Sequence, residues 1–385
     1  MYLGNELDVD PSILKILEKH RPLNLLDSIS VTKPVVHGSC DTRKNFNFAP
    51  HDNYSNLYKL LMFQAGLYLA LDSSTYLHRE EICKLDRISN FRFLSNSRWP
   101  VIYPKSRFEN LENGNNQTFV GFNANIETPE IFDLEDVNLD YPPYVGGNIH
   151  YSHLLVSDFK EYEEDCQIIT RCHRKNKINF SGYYLGEHEL KKMLNFDNFI
   201  IISAFKVERV KGFKALAHFS YRMQFGKSYL YLSIVPEILI IYAALQMVKT
   251  LLRALQYGKE IYLSEIEEFK FEKIIYTPTS LLFSLQRLDN LPKYIKASVK
   301  VLANNEEVAS GILIFKKPEP EAVEWHHKIA NRILEKVQRL NAYHEEEITL
   351  ALIEKLSNKM CFVKSDDDIN IIKEIVLDNF PHLKQ

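Results

Sequence analysis

The sequence predicts an α+β chain made of two diverged copies of one unit, in which an antiparallel sheet wraps around a central helix, followed by a C-terminal helical appendage. Three observations predict it. A short strand motif recurs at a fixed offset, each copy carries a helix too apolar to have a solvent face, and the periodicity changes to helical beyond residue 317.

The recurrence comes first, because a duplicated unit constrains architecture more than local propensity does. Ile88-Ser-Asn-Phe91-Arg-Phe93 with Pro100 returns as Ile266-Glu-Glu-Phe269-Lys-Phe271 with Pro278, an offset of 178 (88 to 266, 91 to 269, 93 to 271, 100 to 278). Upstream, Leu60-Leu-Met-Phe-Gln64 matches Tyr242-Ala-Ala-Leu-Gln246 at an offset of 182 (60 to 242, 64 to 246). The difference is assigned to the helix–strand loop, where length changes are tolerated. Asn24–Val31 and Phe199–Val207 are short, turn-bounded, β-branched runs that read as the strands opening the two copies.

Each copy then runs strand, strand, long apolar helix, and a meander of strands. The second helix is announced by Pro236 at its start and Glu237 in its first turn, where the helix dipole favours an acid, and Ile238 to Leu252 is almost entirely apolar. A helix apolar all round has to be buried. The closing hairpin of the second copy is expected at Ala297–Leu313, with Ser310-Gly311 in its return strand. Its counterpart is expected at Gln167–Tyr184, with Ser181-Gly182. That pairing implies an insertion at about 104–160, a polar surface excursion.

The expected boundaries are therefore an N-terminal helix over 1–19, a first module over 20–190, a second over 191–317, and a helical region over 318–385. In the last, Trp325, Ile329, Ile333, Val337 and Leu340 fall at spacings of three and four. The adjacent His326 and His327 point in different directions on a helix and read as a solvated pair.

Composition excludes several classes. Forty-seven basic against 50 acidic side chains, well mixed, give a net charge of −3 and no single-signed face for nucleic acid. The five cysteines have no zinc-site spacing and read as reduced cytosolic thiols. No phosphate-binding glycine loop occurs, so neither cofactor nor metal is expected. The acidic first twenty residues do not form a secretory signal, so the mature chain is expected to start at Met1 and to be cytoplasmic. Tyr229 to Val248 is apolar enough to raise a membrane span, but Pro236, Glu237 and Gln246 interrupt it, and a buried core helix accounts for the same residues.

Ile234-Val-Pro-Glu-Ile-Leu-Ile-Ile-Tyr-Ala-Ala-Leu-Gln-Met247, with Ile266 to Pro278 after it, resembles the β-hydroxyacyl-acyl carrier protein dehydratases of the hotdog superfamily. Met62-Phe-Gln-Ala-Gly66 and Arg21-Pro-Leu-Asn-Leu-Leu-Asp27 extend the resemblance to the first copy. It implies a tandem double hotdog of about 300 residues, a monomeric pseudo-dimer or a higher oligomer. It also implies an acyl or polyketide-type chain carried on acyl carrier protein or coenzyme A as substrate, and a synthase as partner.

In that family a histidine of one module faces a carboxylate on the other module's helix, one removing the α-proton and the other protonating the departing hydroxyl. By the resemblance the carboxylate belongs at Leu60 or Tyr242, so neither copy keeps it. The histidine position falls at His51 in the first copy and near Ser228 in the second. His51 opposite Tyr242 is the implied catalytic pair, with Gln64, Gln246 and Ser228 at the thioester. For His51 the competing reading is a solvated loop residue, and for Tyr242 a core tyrosine with a satisfied hydroxyl. Two functions stay open: a dehydratase-like or other thioester reaction with altered groups, and a non-catalytic scaffold that docks a partner.

Overall fold

The computed structural model describes residues 2–3, 11–32, 35–41, 56–78, 80–93, 101–110, 115–122, 145–172, 184–186, 188–190, 194, 200–208, 212–225, 228–254, 262–291, 294–316, 330–331, 333–338, 340–342, 347–360 and 366–383. The chain divides into two compact units, Met1–Lys316 and Lys317–Gln385.

In the first unit the elements run β1 (Tyr2–Leu3), α1 (Pro11–His20), β2 (Ser28–Thr32), β3 (Val35–Asp41), α2 (Asn56–Leu77), β4 (Glu81–Phe93), β5 (Val101–Asn110), β6 (Asn115–Phe122), β7 (Val145–Leu155) and α3 (Val156–Cys172). The second half continues with β8 (Tyr184–Leu185), β9 (Ile202–Glu208), β10 (Gly212–Phe219), β11 (Arg222–Phe225), β12 (Ser228–Tyr231), α4 (Glu237–Ala254), β13 (Tyr262–Phe271), β14 (Thr279–Asn290), β15 (Tyr294–Ala303) and β16 (Glu306–Lys316).

Fourteen strands form one sheet in the order β1-β2-β3-β5-β6-β7-β4-β13-β16-β15-β14-β10-β9-β8. Read from either edge inward, the order is the same set of equivalents: β3 with β10, β5 with β14, β6 with β15, β7 with β16, β4 with β13. The two halves join where β4 pairs antiparallel with β13. There Ile88 lies opposite Phe269 and Phe91 opposite Ile266, so each residue of the repeated motif faces its partner's counterpart. Reciprocal pairing of this kind is the signature of a twofold interface, here within one chain. The two curved layers, each around its own helix, make a double hotdog.

Both central helices are buried because apolar side chains cover most of their surface. Residues 59–76 of α2 and 238–248 of α4 are all buried, and the two helices touch. Within the sheet, small residues let the strands close over the Phe-x-Phe motif. A Cβ on Gly311 would lie 2.1 Å from the Phe269 ring, and one on Gly147 would lie 2.4 Å from the Phe91 backbone. Gly147 of β7 is thus the counterpart of Gly311 of β16.

That identity corrects the expected closing hairpin of the first copy. Residues 167–172 are the end of α3, and Ser181-Gly182 lies outside the described residues. The β-branched run reads as a strand, yet Phe159, Tyr162, Cys166 and Ile169 recur at three and four and turn inward on one helix face. The described residues of the 104–160 region are accordingly not a surface excursion. They supply β5, β6 and β7 to the sheet, and the length difference falls between β6 and β7, where the second copy has only the Asn304-Asn305 turn. Both asparagines have positive φ, as the tight hairpin turn requires.

The second unit has its own core of Ala330, Ile333, Val337, Ile353, Leu356, Ile372 and Val376, contributed by helical residues 330–331 and 333–338 and by α5 (Leu350–Met360) and α6 (Asp366–Leu377). Trp325 to Ile329, with the histidine pair, lies outside the described residues. No helix is long and apolar enough to cross a membrane among the described residues, and Tyr229 to Val248 divides between β12 and the buried α4.

Candidate functional site

One face of α2 is polar although the helix is buried: Gln64, Tyr68, Asp72 and Tyr76 stand four residues apart and therefore stack along one line. Arg21, just past the end of α1, reaches this line. Its Nε donates to Asp72 Oδ1 at 3.1 Å, Nη1 to the His20 carbonyl at 3.2 Å, and Nη2 to the Cys83 carbonyl at 3.1 Å. The guanidinium also lies 5.2 Å from the centre of the Tyr68 ring.

At the other end of the line, Gln64 joins the two modules. Its Oε1 accepts from Ile238 N at 3.2 Å and its Nε2 donates to Glu237 Oε2 at 3.3 Å, so the amide of one central helix satisfies the open N-terminus of the other.

The electrostatics of this seam are those of charge held away from water. Burial works against the Arg21 cation, but the Asp72 carboxylate, with Glu237 further off, more than offsets it, and the arginine stays firmly protonated. For Asp72 the balance goes the other way. Burial raises its pKa to about 6, and neither the charge of Arg21 nor its hydrogen bond brings it back to the ordinary carboxylate range. Burial, aided by Glu237, holds the Tyr68 hydroxyl far above its usual value. That hydroxyl is within electrostatic reach of Gln64 but makes no hydrogen bond of good geometry among the described residues.

A cleft of about 470 Å³ opens beside the seam, with Arg21, Asp72 and Tyr76 on one side and Leu14, Leu17, Tyr231 and Ser233 around them. A smaller cavity of about 30 Å³, lined in part by His20, Cys83 and Glu237, lies against the same arginine. His20 is neutral: burial lowers its pKa to about 4, and its ring nitrogens meet the Ile16 carbonyl at 2.8 Å and the Tyr276 hydroxyl at 2.9 Å. A carboxyl that titrates near neutrality beside a fixed cation can give or take a proton and hold an oxyanion close by.

Among the described residues, those expected from the sequence lie on α2 (Gln64), β12 (Ser228) and α4 (Tyr242 and Gln246). His51 lies outside the described residues. Ser228 opens β12, in register with Phe225. Tyr242 is buried in α4, and Leu60 is buried in α2. The two glutamines have different tasks: Gln64 caps α4, whereas Gln246 Oε1 accepts from Ile201 N at 2.9 Å and Ile202 N at 3.4 Å, fastening the start of β9. Arg21, Tyr68 and Asp72 were not singled out from the sequence as site residues, although the four-residue spacing of polar groups in an apolar helix was a readable signal.

No protein-family model matches the chain, and no curated protein sequence does. Among solved structures the chain is similar to the dehydratase domain of a mycocerosic acid synthase-like PKS, at 10% identity and TM-score 0.44, over 78% of this chain and 96% of that one. It is similar to a variant of the PpsC dehydratase domain from Mycobacterium tuberculosis at 10% identity and TM-score 0.46, over 77% and 98%. The dehydratase domain from the CurF module of curacin polyketide synthase gives 14% and 0.45, over 78% and 99%. The palindromic strand order and the reciprocal pairing of β4 with β13 make residues 1–316 a tandem double hotdog.

Proposed function

We propose that the chain binds an acyl thioester, an acyl or polyketide-type chain carried on acyl carrier protein or coenzyme A, and acts on it by dehydratase-like proton transfer. In this reading the seam of Arg21, Asp72, Tyr68 and Gln64 takes over the task of the helix carboxylate that positions 60 and 242 lack. The observation that carries the reading is Asp72, a buried carboxyl with its pKa raised to about 6, on the wall of a cleft of about 470 Å³, a volume within the range of ligand sites. Asp72 moves the proton, Arg21 holds developing negative charge at the thioester or the departing oxygen, and Tyr68 and Gln64 keep the two helices in register around them.

The reading is tested with saturated, 3-hydroxy and 2-enoyl thioesters of pantetheine and of acyl carrier protein, products being followed by mass spectrometry. Conversion is expected with the native chain and a loss of about 100-fold or more in Asp72→Asn. Equal conversion by both proteins removes Asp72 from the chemistry, and neither conversion nor binding of any thioester removes the reading altogether.

A second reading, a non-catalytic acyl-binding scaffold that docks a partner, draws on Leu60 and Tyr242, apolar or weakly acidic where the resemblance calls for a carboxylate. Binding without turnover in the same panel selects it.

A further inference from the structure

Beyond Tyr76, at the C-terminal end of α2, three side chains with metal-ligating atoms converge. His78 follows the last residue of that helix, its backbone N still bonded to the Ser74 and Thr75 carbonyls at 3.2 Å. Glu81 is the first residue of β4, and His153 lies on β7, in register opposite Cys83. His78 Nδ1 is 3.5 Å from Glu81 Oε2, and His153 Nδ1 is 3.1 Å from the same oxygen. One donor atom from each residue can be chosen so that all three lie within 4.8 Å of one another. The rings sit 4.4 Å apart, inclined at 60°.

We infer that His78, Glu81 and His153 form a divalent transition-metal site, of the two-imidazole, one-carboxylate kind that takes zinc. Zinc bonds to imidazole nitrogen and carboxylate oxygen are about 2.0–2.2 Å, which puts neighbouring donors of a tetrahedral site roughly 3.4 Å apart. The two measured separations bracket that value. Two imidazoles favour zinc, cobalt or nickel over magnesium and calcium, which prefer oxygen donors. All three side chains are partly exposed, so an ion can reach them, and the fourth position falls to water or to Cys83, whose Sγ lies 3.6 Å from His153 Nδ1.

The competing account is a carboxylate simply hydrogen-bonded by two imidazoles. For His78 that hydrogen bond is long, 3.5 Å against an ordinary range of about 2.7–3.2 Å. Its Nε2 is buried with no hydrogen-bond partner among the described residues, so the ring can turn either nitrogen toward the centre. The three ligands come from a helix end and two strands, so an ion would clamp the end of α2 to the sheet and raise thermal stability.

The full-length chain, treated with a chelator and desalted, is titrated with cobalt(II) and followed by visible absorption, with zinc as competitor and with melting temperature measured alongside. The expected result is one equivalent of cobalt with the visible bands of a tetrahedral site, displaced by zinc, together with a metal-dependent rise in melting temperature. His78→Gln and Glu81→Gln, folded by circular dichroism, should weaken binding by more than the roughly 10- to 100-fold that loss of an outer-sphere partner costs. His218→Gln, a distant control, should leave binding unchanged. The native chain taking up no cobalt, or both ligand variants binding as tightly as the native chain, overturns the assignment. If a variant does not fold, the native chain decides: a melting temperature indifferent to zinc and chelator overturns it.

Discussion

Replacing Asp72 with Asn separates a structural ion pair from a carboxyl held against the preference of the fold, because the two predict opposite signs. If the Arg21–Asp72 pair were there for stability, removing one partner would leave a buried charge uncompensated and cost about 3–5 kcal/mol. The structure argues otherwise. Asp72 is 1% exposed, and burial outweighs the guanidinium at 3.1 Å, so its pKa is about 6 instead of an ordinary 3.8.

A carboxyl with a raised folded-state pKa stabilises the fold fully below the unfolded value, near pH 4, and that stabilisation is lost as pH rises through about 6. Two units at about 1.4 kcal/mol each make the ionised side chain a burden of roughly 3 kcal/mol above pH 6. Asparagine keeps the shape and an oxygen for Arg21 Nε without the charge. Asp72→Asn is therefore expected to be more stable than the native chain at pH 7.5, by up to roughly 3 kcal/mol, and about equal to it at pH 4. Urea unfolding of both proteins at the two pH values measures this. Destabilisation of several kcal/mol at pH 7.5 refutes the reasoning and makes the pair structural.

With Asp72 replaced, the opposite slope due to His20 becomes visible: its lowered pKa means stability is lost as pH falls from about 6.5 towards 4, and His20→Leu should flatten that slope in urea titrations. Gly311→Ala drives a methyl into the Phe269 ring and should cost about 1–3 kcal/mol, much of it regained when Phe269→Leu is added. Gln64→Leu strands Ile238 N and removes the donor to Glu237, a loss of about 1–3 kcal/mol by denaturant unfolding. An unchanged midpoint in that variant would mean that the contact between helices carries no weight.

What was legible in the sequence followed from physics that acts locally. The Phe-x-Phe strand declared itself twice because both copies must present the same residues to one pseudo-twofold contact, and Ile88 opposite Phe269 is that constraint satisfied. The second central helix was legible because an apolar surface on all sides has only one destination. β7 was not, since Val145-Gly-Gly-Asn148 has the composition of a loop. Gly147 is there because Phe91 leaves no room for a Cβ, a demand set by a residue more than fifty positions away.

The seam was half legible. Gln64, Tyr68, Asp72 and Tyr76 form a visible four-residue rhythm, but nothing local marks Arg21 as the group that meets it, because only the fold brings the end of α1 against α2. Nothing in the sequence joins His78 and Glu81 to His153, because the strand pairing of β4 with β7 alone brings them together.

The central claim is that this double hotdog receives the acyl chain of a thioester beside Asp72. Calorimetric titration of the native chain with acyl-pantetheines of increasing length tests it most directly. The account predicts one site per chain, with affinity rising by up to about 0.8 kcal/mol for each buried methylene until the cleft is filled. Absence of binding at every length, or affinity indifferent to length, contradicts it.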